Sequence, residues 1–201
     1  MKFLFCTLFF YPTTAFSAPS NNILIFGDSL SSGYGISSEQ SWPSLLAKKL
    51  VADKSSCAVV NASISGETTA GGRTRLAQAL KTHHPMITVI ELGSNDGLRG
   101  LPIVAMRSNL TAMVRMAKQN RTKVLLIGMK LPPNYGLDYT VRFAQSYADV
   151  AKLEKVALIP FLFEPIATQR DVLQADNLHP TADAQPMLLA HVWKSLAPLL
   201  K

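Results

Sequence analysis

The chain has 201 residues, 48% of them hydrophobic, and a formal charge of +7. That is enough for one domain of ordinary size with a full apolar core and no need of disulfide staples. The basic residues are scattered singly, which argues against a nucleic-acid tract, although a diffuse positive surface favours transient contact with anionic lipid.

Residues 1–18 read as a secretory signal. Lys2 supplies the charge, residues 3–11 the apolar stretch, and Pro12 breaks it before the small residues Ala15, Ser17 and Ala18. Pro19 makes a cut after Ala18 awkward, so Ala15 and Ser17 remain alternative ends of the leader. The apolar stretch is too short to span a bilayer. The expected product is one domain over residues 19–201, periplasmic or secreted. Cys6 leaves with the leader, so Cys57 has no partner for an intrachain disulfide.

The first strand is predicted at Ile23-Leu24-Ile25-Phe26, ended by Gly27, with Ser29 at its C-terminal tip. A helix follows from Trp42-Pro43 through Leu45, Leu46 and Leu50. The second strand is residues 58–62, running out into Ser63-Ile64-Ser65-Gly66-Glu67-Thr68. A helix over residues 73–82 closes at His83-His84-Pro85. The third strand is residues 86–92, ending in Gly93-Ser94-Asn95-Asp96-Gly97. The next helix carries Val104, Leu110, Met113, Val114 and Ala117.

Residues 124–129 form strand four, followed by a loop over residues 130–138. A helix then passes through Val141, Ala144, Tyr147, Ala148 and Ala151. Strand five is residues 157–162, with Pro160 pushing it to the sheet edge. A last amphipathic helix covers residues 182–196, with His191 expected in the exposed part of it. Continuously apolar strands alternating with helices predict an α/β fold: a five-stranded parallel sheet in a three-layer α/β/α sandwich.

Each crossover returns the chain to the same end of the sheet, so the loops after strands one, two and three share an edge. Ser29, Gly66 and Asn95 lie in those loops. Near the C-terminus stands Asp176-Asn177-Leu178-His179-Pro180. A serine hydroxyl is a poor nucleophile until a base takes its proton, and an imidazole held in one tautomer by a carboxylate can do so. A spacing of three lets Asp176 and His179 meet, and Pro180 keeps His179 out of a helix. Asp171 is a rival acid without that local geometry.

The backbone N–H groups of Ser29 and Gly66 and the amide of Asn95 are candidate donors to an oxyanion. Each residue also fits a plainer role. Ser29 and Asn95 suit caps and turns, and Gly66 suits an ordinary turn. No histidine cluster has zinc-ligand spacing, and neither a Gly-rich phosphate loop nor a G-x-S-x-G elbow is present.

Gly27-Asp28-Ser29-Leu30, Gly66, Gly93-x-Asn95-Asp96 and Asp176-x-x-His179 resemble the four blocks of the SGNH, or GDSL, hydrolases, in order and across the whole mature chain. Residues 65–68, 91–100 and 131–136 are similar to the periplasmic thioesterase and lysophospholipase branch. The resemblance implies a flavodoxin-like sandwich, with Ser29 as nucleophile, His179 as base and Asp176 as its orienting acid. It implies an oxyanion hole from Ser29, Gly66 and Asn95, no metal or organic cofactor, and small acyl ester or thioester substrates taken by a monomer. The loop over residues 97–102 is implied to contact acyl chains, with Leu98, Leu101 and Tyr135 as substrate contacts. A carbohydrate or short-chain acetyl esterase on the same residues is the alternative. Ser94 and Glu67 stand where the family has glycine and aspartate, and neither is expected to touch the reacting groups.

Overall fold

The computed structural model describes residues 20–169 and 171–201; the expected leader and Cys6 lie outside the described residues. Five strands form one sheet in the order β2-β1-β3-β4-β5: β1 (Ser20–Gly27), β2 (Ala58–Asn61), β3 (Pro85–Glu91), β4 (Lys123–Ile127) and β5 (Ala157–Ile159). Every pairing is parallel. Ile23, Leu24, Ile25 and Phe26 are completely buried, because β1 is flanked by strands on both sides and covered by helices on both faces. Each contributes about 2 kcal/mol of apolar burial.

The helices are α1 (Ser29–Ser32), α2 (Trp42–Ala52), α3 (Thr69–His83), α4 (Ser94–Leu98), α5 (Ile103–Gln119), α6 (Leu137–Glu154) and α7 (Gln185–Leu196). Helices α2 and α7 pack together in one layer, and α5 packs between α3 and α6 in the other. The result is the expected three-layer α/β/α sandwich. Among the described residues no helix is long and apolar enough to cross a membrane.

Several local expectations are corrected. Helix α3 starts before Arg73, because the Thr68 side chain accepts from the N–H of Gly71 and caps it. The five-residue α4 was not expected at all. Strand β5 stops at Ile159, ahead of Pro160, whose missing N–H cannot extend the ladder. His191 is largely covered instead of exposed: its Nε2 lies 3.1 Å from the Phe161 carbonyl and 3.7 Å from Glu164 Oε2.

Candidate active site

The site lies at the C-terminal edge of the sheet, in the loops after β1, β2 and β3. Strand β1 ends at Gly27, and the Asp28 carboxylate accepts from the N–H of Leu30 and starts α1. Ser29 is the first residue of that helix, so its N–H is among those a helix leaves without an internal partner.

His179 comes from the loop before α7. Its Nε2 lies 2.9 Å from Ser29 Oγ, and its Nδ1 lies 2.6 Å from Asp176 Oδ2. Asp176 Oδ1 accepts from the N–H groups of Leu178 and His179 at 2.9 and 3.0 Å. The bond from His179, then those two N–H bonds, hold the Asp176 carboxyl down at about 2. This order of hydroxyl, imidazole and carboxylate is the one by which serine is deprotonated for acyl transfer. Asp171 makes no contact of this kind. The Tyr34 ring covers the imidazole at 4.6 Å between centroids.

Gly66 adopts φ +80°, a left-handed conformation that costs a side-chain-bearing residue about 1–2 kcal/mol. Asn95 Nδ2 donates to Asp28 Oδ2 at 3.0 Å and to the Glu67 carbonyl at 3.1 Å. One side chain thus ties the tips of β1, β2 and β3 together. The Glu67 side chain is turned away from Ser29 and His179 and paired with Arg75, while its backbone carbonyl accepts from Asn95. Arg99 Nη2 donates to the Gly66 carbonyl at 3.0 Å, a second link across the same edge.

The three candidate substrate contacts lie together. Tyr135 Oη donates to the Leu98 carbonyl at 3.2 Å, and Tyr139 Oη donates to that of Leu101 at 3.0 Å. Leu98 is half-buried, and Leu101 is 38% exposed. Tyr135 therefore buttresses the loop that carries the two leucines. A separate groove of about 610 Å³ runs along α5 and α6 past Arg107 and Leu153, and none of the site residues lines it.

Residues 25–185 match the model of the GDSL-like Lipase/Acylhydrolase family. The chain belongs to this family. Esterase TesA of Pseudomonas aeruginosa is 45% identical over 183 residues, 91% of each chain. Thioesterase 1/protease 1/lysophospholipase L1 of Escherichia coli K12 is 39% identical over 200 residues, 100% of this chain and 93% of that one. A crystal structure of TesA superposes with a TM-score of 0.86 at 46% identity, covering 89% of this chain and 99% of that one. Like its family, this chain is an ester-hydrolysing enzyme acting on small-molecule substrates.

Sequence reasoning missed the Glu67 carbonyl, Arg99, Tyr34 and Glu91, which lies beneath the turn carrying Ser29. Only Glu91 carried a signal: it is the lone charged residue in a third strand that is otherwise uncharged.

Proposed function

We propose that this chain is a periplasmic or secreted serine esterase and thioesterase that carries its acyl group on Ser29. Ser29 Oγ attacks the acyl carbonyl carbon while its proton passes to His179 Nε2. The Asp176 carboxylate holds the ring in the tautomer whose Nε2 accepts, and it stabilises the imidazolium. The developing oxyanion is received by the N–H groups of Ser29 and Gly66 and by the Asn95 amide, which keeps its bond to Asp28 and turns the hydrogen now on the Glu67 carbonyl towards the substrate. His179 then protonates the departing alkoxide or thiolate. In the second half, His179 takes a proton from water, the hydroxide adds to the acyl-enzyme, and Ser29 leaves with a proton as the free acid forms.

The observation that supports this most is the 2.9 Å approach of His179 Nε2 to Ser29 Oγ. The names of the relatives support esters, thioesters and lysophospholipids as substrates, and fatty acyl thioesters are the thioester class proposed. Aryl esters, which carry a good leaving group, should also be accepted. The half-buried and exposed leucines of the 97–102 loop suit a medium or long acyl chain. The charged start, apolar stretch and small residues of positions 1–18 support export, and the enzyme then acts as a monomer with transient contact to anionic lipid.

The test is the purified mature chain against p-nitrophenyl acetate, octanoate and longer esters, palmitoyl-CoA and a lysophospholipid. A fluorophosphonate should label Ser29. Ser29→Ala should abolish labelling and lower kcat roughly 10⁵-fold with the fold intact. Full activity in Ser29→Ala would refute the nucleophile. Preference for acetate over octanoate would turn the substrate reading to a short-chain acetyl esterase.

A further inference from the structure

Beneath the turn that carries Ser29 lies a carboxyl group with no part in the chemistry above. Glu91 ends β3, directly opposite Gly27 in the sheet register, and is completely buried. It reaches under the turn because Gly27 has no side chain. A Cβ there would sit 2.7 Å from Glu91 Oε2 and 2.8 Å from Ser31 Oγ. Oε2 accepts from the Ser31 hydroxyl at 2.7 Å and, at a long 3.4 Å, from the Asp28 N–H. Glu91 therefore grips the residues on both sides of the nucleophile. Its other oxygen, Oε1, is buried without a hydrogen-bond partner among the described residues.

Asp28 is equally buried and lies beside it. Two adjacent carboxyls out of water cannot both ionise. The hydrogen bonds decide which keeps the proton. Each Asp28 oxygen accepts a full N–H bond, Oδ1 from Leu30 at 3.0 Å and Oδ2 from Asn95 at 3.0 Å. Glu91 has one hydroxyl, one long N–H and one bare oxygen, which is poor solvation for a buried charge. Asp28 is thus the better anion and Glu91 the better acid.

We propose that Glu91 is a positioning residue that stays protonated at working pH, fixing the Asp28–Ser31 turn while leaving Asp28 as the anion that holds Asn95. This rests on Ser29 being the nucleophile. The surroundings agree. Burial pushes both carboxyls up, Asp28 to about 7 and Glu91 well above the usual carboxylate range, with Asp28 itself a further cause for Glu91. Tyr147 of α6 also faces Glu91, and His179 and Glu67 face Asp28. Neither carboxyl has an ion-pair partner among the described residues.

The test pairs Glu91→Gln, which mimics the neutral acid, with Glu91→Leu, which removes both grips. Glu91→Gln should hold kcat within a few-fold, whereas Glu91→Leu should lose roughly 10- to 100-fold in kcat at unchanged KM, the scale of a misplaced nucleophile. Infrared spectra of the wild type at about pH 8, far above an ordinary carboxylate pKa, should show a carboxylic-acid C=O band that Glu91→Gln lacks. The wild type should also lose stability as pH rises above the ordinary glutamate range, since only its folded state keeps that proton, and Glu91→Gln should flatten this slope. Absence of the band overturns the proposal, whether or not Glu91→Leu folds. So does full activity in a folded Glu91→Leu, or equal loss in both variants. None of these outcomes touches fluorophosphonate labelling of Ser29, so failure here is separable from failure of the nucleophile assignment.

Discussion

His179 Nδ1 and Asp176 Oδ2 lie 2.6 Å apart in a single loop, three residues from one another, and the same carboxylate also receives two backbone N–H groups of that loop. The carboxylate is thus tied as firmly to its own loop as to the imidazole. Replacing Asp176 by Asn keeps the shape and removes the acceptor for Nδ1–H. The expected loss is roughly 10⁴-fold in kcat, the scale seen when an orienting carboxylate becomes an amide. A kcat within tenfold of wild type would show that Asp176 does not orient the ring.

The same group makes a stability prediction. Its folded pKa, about 2, lies below the ordinary 3.8, so the folded state binds the proton more weakly than the unfolded chain. The contribution is therefore fully present above about 3.8 and is lost as pH falls towards 2. Chemical denaturation at falling pH should show the wild type losing this increment and Asp176→Asn lacking that part of the slope.

Asn95 has both amide hydrogens engaged, one on wholly buried Asp28 and one on the Glu67 carbonyl. Asn95→Ala removes a candidate oxyanion donor and also strips a buried carboxylate of a partner. Two losses should appear together: roughly 10²- to 10³-fold in kcat, and about 1–3 kcal/mol of stability from the orphaned acceptor. Steady-state kinetics and urea unfolding measure them. A kinetic loss below tenfold would remove Asn95 from the oxyanion hole.

The Ser94 hydroxyl is buried without a partner among the described residues. An unsatisfied buried hydroxyl is a cost the fold carries. Ser94→Ala should raise stability by about 1 kcal/mol and leave kcat unchanged. A lower melting temperature would mean that the hydroxyl is bonded in solution.

Much of the fold was legible because burial writes itself into local order. The apolar runs of β1, β3 and β4 and the edge position of β5 with its proline follow from residue type alone. So does the meeting of Asp176 with His179, since a three-residue loop needs no knowledge of the rest of the chain. The clustering of Ser29, Gly66 and Asn95 needed only the rule that parallel strands end on one side.

What the sequence by itself determined is therefore the sheet, its five long helices α2, α3, α5, α6 and α7, and the list of groups gathered at one edge. Only the tertiary structure decided how those groups are held: Asn95 on Asp28 and a Glu67 carbonyl, Arg99 on Gly66, His191 under Phe161, and Glu91 under the turn through the gap left by Gly27. Backbone carbonyls look alike in every residue. Which partner 60 positions away a side chain meets depends on strand register and layer spacing, which no local pattern encodes.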